Sequence, residues 1–175
     1  MSRQRPPRRK AIKHTAAVIT VSDRAARGER TDTAGPLVAS VLEAEGIKVV
    51  QTTLVPDNRW AIAEAIKEAA DELNVSLVLT TGGTGLAPTD VTPEATLDVA
   101  ERLVPGLAEA MRQASAEITP HAWLSRAVCA IRGATLIINL PGSPRGAKEN
   151  LEVILPALSH GLDKLRGDTS DCARP

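Results

Sequence analysis

Short apolar runs alternate with helix-like stretches along this chain, and that alternation restricts the fold more than any other feature. The runs "AAVITVS" at 16–22, "KVVQTTLVPD" at 48–57 and "VSLVLTT" at 75–81 read as strands. The third is continuous and apolar, as a parallel strand covered on both faces must be. Between the first two, "TAGPLVASVLEAEGI" sets Leu37, Val38, Val41 and Leu42 on one helical face. Thr33 is its expected cap and Gly46 its stop. Residues 58–73 read as a second helix, with Trp60, Ile62, Ile66, Ala69 and Leu73 apolar. Two more helices are expected at about 93–103 and 105–116, the latter opened by Pro105. "AVCAI" and "ATLIINLP" add two strands around a turn at Arg132-Gly133. A last helical region runs from Ser143 to about Leu165, with a break or kink expected at Pro156.

This order predicts an α/β fold with a mainly parallel central sheet. The expected organisation is a disordered basic arm at 1–12, a single domain at 13–167 and a loose tail at 168–175. The arm, "MSRQRPPRRK", has five basic side chains but no apolar segment behind them, so it does not read as a secretory signal.

Composition narrows the function. Acidic and basic residues balance at 21 each, and no tyrosine or phenylalanine is present, only Trp60 and Trp123. Base-stacking platforms need aromatic rings, so no nucleic-acid partner is expected. Two cysteines make no disulfide framework; Cys129 reads as a small buried hydrophobe, Cys172 lies in a polar tail, and a cytoplasmic setting fits. No apolar stretch reaches the ~18 residues of a membrane helix. His14, His121 and His160 share no ligand spacing, and no nucleophile elbow or Cys–His couple is visible.

In parallel sheets ligands bind beyond the carboxyl ends of the strands. Those ends carry Ser22-Asp23-Arg24, Pro56-Asp57-Asn58, "TTGGTG" at 80–85 with Asp90 close behind, and Asn139-Leu140-Pro141-Gly142-Ser143-Pro144. Each alone is ordinary loop composition. Glycines let backbone N–H groups approach phosphate oxygens. The run matches neither the Walker phosphate loop nor G-x-G-x-x-G, so as a pattern it is also compatible with an empty turn. Asp57 and Asp90 beside such a cradle would repel a polyphosphate unless a cation lay between them, which points to metal-assisted phosphoryl or nucleotidyl transfer. Both aspartates also fit helix lead-ins.

As an ordered set these motifs resemble the MogA/MoaB family of molybdenum cofactor biosynthesis proteins. The matching segments are "VSDR" at 21–24, "TDTAGP" at 31–36, "VPDN" at 55–58, "TTGGTG" at 80–85, "DVTPEAT" at 90–96, "NLPGSP" at 139–144 and "LPALSH" at 155–160. "MRQASAEITPHAWLSR" at 111–126 and the Asp90-Val-Thr-Pro run look more like the MogA-type adenylyltransferase branch.

The resemblance implies Mg²⁺-dependent adenylyl transfer from ATP to the terminal phosphate of molybdopterin, with release of pyrophosphate. It also implies a three-layer α/β/α sandwich, a homotrimer and hand-off of the product to a separate molybdenum-insertion protein. By the family motif, Asp57 and Asp90 are the essential carboxylates and the Mg²⁺ ligands. Gly82, Gly83, Thr84 and Gly85 bind nucleotide phosphates; Ser22, Asp23, Pro141, Gly142 and Ser143 line the nucleotide site; Ser115 lies on the pterin side. Arg24, Arg126, Arg145 and Lys148 are candidate phosphate holders, though surface cations are usually just solvated. Relatives often carry an arginine just before the aspartate of D-V-T-P, where this chain has Thr89. The alternatives are a non-catalytic molybdopterin carrier or MoaB-like protein, and an oligomeric scaffold whose 105–116 helix serves an interface.

Overall fold

The computed structural model describes residues 13–169. The basic arm, the end of the tail and Cys172 lie outside these. Six strands form one sheet in the order β2-β1-β3-β6-β5-β4. They are β1 (His14–Val21), β2 (Ile47–Val55), β3 (Leu77–Thr81), β4 (Arg102–Leu103), β5 (Cys129–Arg132) and β6 (Thr135–Leu140). β2, β1, β3 and β6 run parallel, whereas β5 is antiparallel to β6 and to β4. The helices are α1 (Asp23–Ala26), α2 (Ala34–Ala44), α3 (Arg59–Lys67), α4 (Thr92–Val99), α5 (Pro105–Ala116) and α6 (Pro144–Leu165).

Side-chain alternation splits the central strands between two cores. Ala16 and Val18, Leu77 and Leu79, and Leu136, Ile138 and Leu140 face one side, packed by Val38 and Leu42 of α2, Met111 of α5 and Leu151 and Leu158 of α6. Ala17 and Ile19, Val78 and Ile137 face the other, against Ile62 and Ile66 of α3 and Ala95 and Val99 of α4. Period-two alternation makes this division automatic once a strand is covered on both faces. The expected three-layer sandwich is therefore present.

Local expectations failed where tertiary contacts override pattern. Residues 100–103 do not extend α4: Glu101 N–H donates to Ile131 O and Val104 N–H to Cys129 O, drawing Arg102–Leu103 into the sheet edge. Trp60 is 73% exposed, because it precedes Ile62 by about 200° of helical rotation and so faces away from the core. A π-turn at Glu68–Glu72 then rotates Leu73 outward as well. α6 passes through Pro156 without interruption. Pro156 and Glu152 are on the exposed face, where water can satisfy the carbonyl that proline leaves unbonded. Thr33 does occupy the N-cap position of α2, but its side chain makes no capping bond; Asp32 does so instead, its Oδ1 accepting from Ala34 N–H at 3.1 Å and Gly35 N–H at 3.0 Å and its Oδ2 from the Thr20 hydroxyl at 2.7 Å. The segment after β1 forms the short α1, capped by Ser22 Oγ.

One buried polar knot ties β6 to its neighbours. Asn139 is fully buried; its Nδ2 donates to Thr80 Oγ1 (3.0 Å) and Thr96 Oγ1 (2.9 Å), and its Oδ1 accepts from Val128 N–H (3.1 Å). Asn139→Ala strips these bonds from a water-poor position and is expected to lower the unfolding free energy by about 2–4 kcal/mol. Urea denaturation followed by circular dichroism measures it.

Candidate functional site

The carboxyl ends of β1, β2, β3 and β6 share one rim, because all four strands are parallel. From β1 the chain passes to β2 on one side and later to β3 on the other, which opens a crevice at the β1–β3 boundary. The ends of β1 and β2 are locked by a reciprocal pair. Asp23 N–H donates to Asp57 Oδ2 at 2.7 Å, and Asp57 N–H donates to Asp23 Oδ1 at 2.9 Å. Each aspartate holds the other's side chain through its own backbone.

The glycine run after β3 is required by close approach. Gly82 has φ +109°, and a Cβ there would lie 2.3 Å from the Val21 carbonyl oxygen of β1. At Gly83 (φ +64°) a Cβ would meet Thr92 Oγ1 at 2.4 Å and Asp57 Oδ1 at 3.4 Å. Any side chain at 83 would therefore press on the aspartate. Thr92 then clips the loop to α4: its hydroxyl donates to Gly82 O (2.9 Å) and its N–H to Gly83 O (3.1 Å).

A cavity lies on each side of this loop. The smaller, about 310 Å³, is bounded by Thr20, Ser22, Asp57, Gly82, Gly83, Gly142 and Ser143. The larger, about 480 Å³, is bounded by Thr84, Gly85, Arg112, Ser115, Asn139, Pro141, Ser143 and Asn150. Ser143 borders both, and its Oγ caps α6 by accepting from Gly146 N–H at 3.2 Å. Asp23 stands behind Asp57 rather than lining either cavity. Asp90 ends the loop next to Gly85, and its Oδ2 accepts from Ala87 N–H at 3.0 Å.

Residues 17–160 match the family model described as "Probable molybdopterin binding domain" (MoCF_biosynth). This chain belongs to that family. The molybdopterin adenylyltransferase of Haemophilus influenzae is 47% identical over 137 residues, 77% of this chain and 70% of that protein. A crystal structure of the molybdopterin biosynthesis enzyme MoaB from Thermus thermophilus superposes with a TM-score of 0.85 at 47% identity, covering 89% of this chain and 98% of that one. A MogA structure gives 0.82 at 43% identity, covering 86% and 99%. Proteins named for both branches of the family are thus about equally similar to this member.

The electrostatics of this family member centre on Asp57. Burial raises its carboxyl above the ordinary aspartate range; the Asp23 N–H pulls it down, and the negative charges of Asp23 and then Asp90 push it up again. Among the described residues no cluster of three or more His, Cys, Asp or Glu side chains is built to cage a metal. Mg²⁺ needs only one or two carboxylates when substrate phosphates and water complete its shell, so Asp57, on the smaller cavity, could hold one; Asp90 borders neither cavity, though its charge acts on Asp57. A cation there would also relieve the repulsion that raises Asp57.

Sequence reading missed Arg112, whose Nη1 donates to Ala127 O at 3.0 Å and which reaches the larger cavity from α5. Its position one turn before Ser115, on the same helical face, was the available signal. Asn150 was also missed; its Nδ2 donates to Ser115 Oγ at 3.0 Å. Of the four cations singled out in the sequence, Arg145 borders the larger cavity while paired to Glu149, and Lys148 pairs with Glu152. Arg24 borders neither cavity. Arg126 is committed to the glycine loop, donating from Nε to Gly85 O at 2.7 Å. Of the histidines, only His121 borders either cavity. Cys129 is buried, and that burial pushes its thiol up to about 12, out of range for thiolate chemistry.

Two outcomes follow. Gly82→Ala forces a Cβ onto the Val21 carbonyl at a left-handed φ and should destabilise the fold by about 2–4 kcal/mol, read from urea denaturation. Asp57→Asn should leave stability at pH 7 unchanged or raised. A carboxyl with a raised folded-state pKa opposes folding above that pKa, and the opposition disappears as pH falls below the unfolded-state value. Any gain in the asparagine variant should therefore vanish at acid pH, checked by thermal unfolding across the acid range.

Proposed function

We propose that this chain is a molybdopterin adenylyltransferase, moving AMP from ATP to the terminal phosphate of molybdopterin and releasing pyrophosphate. The observation that carries the reading is the pair of cavities that share Ser143, with Gly82 and Gly83 lining one and Thr84 and Gly85 the other. Two substrates must meet end to end for one phosphate to attack another, and adjoining cavities suit that geometry. The identity to proteins named molybdopterin adenylyltransferase supports the same reading.

On this reading ATP occupies the smaller cavity. Its phosphates lie over Gly82 and Gly83, with Ser22, Gly142 and Ser143 beside them and Thr84 and Gly85 on the pterin side. Ser143 Oγ already accepts from Gly146 N–H, so its own proton is directed elsewhere and can be donated to a phosphate oxygen. The first turn of α6 adds a favourable dipole for anions. The pterin occupies the larger cavity. Ser115 Oγ accepts from Asn150 and so faces the ligand as a donor, and Arg112 offers positive charge nearby. The attacking phosphate is anionic at neutral pH and needs no general base, which accounts for a site without a catalytic His, Cys or Lys. Mg²⁺ held by Asp57 and Asp90 would supply charge neutralisation at the reacting phosphates. Asp23 keeps Asp57 in place through the reciprocal bonds. We further assign the protein to the cytoplasm as a homotrimer that hands its product to a separate molybdenum-insertion protein.

Purified protein with ATP, Mg²⁺ and molybdopterin should yield adenylylated molybdopterin and pyrophosphate in equal amounts. Asp57→Asn and Asp90→Asn should each cut turnover by on the order of 10²-fold while the variants stay folded. Tight molybdopterin binding without pyrophosphate would instead make the chain a carrier. Wild-type turnover in both variants would remove the carboxylates from the mechanism.

A further inference from the structure

Arg126 lies outside the strand-end motifs, in the segment leading into β5, yet it makes the densest set of contacts to the loop that carries Asp90. Its backbone N–H donates to Thr84 O at 2.9 Å. Its Nε donates to Gly85 O at 2.7 Å, and its Nη2 to Asp90 O. Its Nη1 pairs with Glu94, in the first turn of α4. One guanidinium thus grips both ends of the Gly85–Asp90 excursion and fixes them to the helix that follows.

The arrangement is particular to arginine. A planar fork with donors at Nε and both Nη positions can bridge two carbonyls and a carboxylate together; a lysine ammonium is a single point and cannot span them. The charge is matched by Glu94, whose carboxyl is held below the ordinary range by the hydrogen bond to Arg126. The guanidinium meets Asp90 at its carbonyl, and the Asp90 carboxylate is instead fixed by Ala87 N–H and lies against Gly85. Within the excursion, Asp90 N–H donates back to Ala87 O at 2.9 Å, so the loop is closed at its base by Arg126 and at its tip by its own backbone. Ser125 and Ala127, flanking Arg126, are anchored from the opposite side by Arg112 Nη1, which donates to Ser125 O and Ala127 O. The wall between the two cavities is therefore tied to α5 on one side and to α4 on the other.

We infer that Arg126 is the positioning residue for Asp90: by pinching the Gly85–Asp90 loop it sets where that carboxylate meets the metal-bound nucleotide. This rests on the adenylyl-transfer reading for its catalytic consequence, but its binding and exchange consequences do not.

The test compares Arg126→Ala, Arg126→Lys and Glu94→Gln with wild type. In Arg126→Ala the amides of 86–91 should lose protection in hydrogen–deuterium exchange while β1 and β3 keep theirs. Affinity for Mn²⁺–ATP, read by titration calorimetry, should fall about 10- to 100-fold, the range for residues that orient metal ligands. In turnover, kcat should fall and the Mg²⁺ requirement rise by a similar factor, with KM for molybdopterin within about twofold. Arg126→Lys, which keeps the charge and is the safer variant for folding, should resemble alanine; Glu94→Gln, which leaves the carbonyl contacts, should stay near wild type. Millimolar guanidinium ion should partly restore Arg126→Ala.

Looser exchange with unchanged Mn²⁺–ATP affinity would overturn the proposal, as would lost affinity with an unchanged loop, which would make Arg126 a direct ligand contact. A wild-type protein that binds Mn²⁺–ATP but transfers no adenylyl group would sink the functional reading alone, and the exchange and binding results would still decide the role of Arg126.

Discussion

The carbonyl of Val21 leaves no room for a side chain at position 82, and much of the site follows from that contact. A Cβ on Gly82 would sit 2.3 Å from Val21 O, so β1 and β3 end closer together than any other residue would allow. The approach brings the loop after β3 against the loop after β1. Gly142 closes from the other side, where even a Cβ would be 3.2 Å from Gly82 Cα. Three strand ends therefore meet over a few backbone atoms; of the side chains flanking them, Ser22 and Ser143 line the smaller cavity and Thr84 and Ser143 the larger. A glycine cradle is usually explained by the ligand's need for backbone contact. Here the protein's own packing demands glycine at 82 and 83, and exposed backbone at the rim is a consequence of that packing.

Aspartates placed around such a junction work against the fold. Asp57 is partly buried beside two other carboxylates, and burial first, then their charges, hold its carboxyl above the ordinary range. Asp32 is the instructive contrast. It too lies near the smaller cavity, but it receives the Thr20 hydroxyl and two α2 amides and is fully engaged as a cap. Two aspartates on one rim thus differ: Asp32 has both carboxylate oxygens engaged, whereas Asp57 gives Oδ2 to the Asp23 amide and keeps Oδ1 beside Gly83.

How much of this could be read from residues alone depended on the range of the interaction. The central strands and the helices covering them were legible because a buried parallel strand must be continuously apolar and a covering helix must show a stripe. The rim was legible because parallel topology sends every strand end the same way. What was not legible came from contacts between residues far apart in sequence. Residues 102–103 read as helix, yet the unpaired edge of β5 drew them into the sheet. Trp60 was grouped with Ile62 and Ile66 as apolar, although its angular position relative to them placed it outside. Arg126 read as a surface cation because nothing in "LSRAV" reveals that its partners are at 85, 90 and 94. Arg112 and Asn150 were missed for the same reason: each gains meaning only when α5, α6 and the β5 lead-in are packed together.

Long-range tethering also bears on Thr89, the position where this chain departs from the arginine often found before the D-V-T-P aspartate. Thr89 is exposed near the tip of the Gly85–Asp90 excursion, and the loop's internal bonds run between Ala87 and Asp90. The loop's shape is set at its base, where Arg126 holds both ends, so residue 89 carries no conformational duty. A side chain there can change without moving the Asp90 carboxylate. The cation that shapes the loop comes from the β5 lead-in, and the bonds that hold the loop, at residues 85, 87 and 90, bypass residue 89. A loop whose geometry is fixed from outside itself leaves its tip open to substitution, and that is the physical reason a threonine can stand at 89 with the rest of the rim intact.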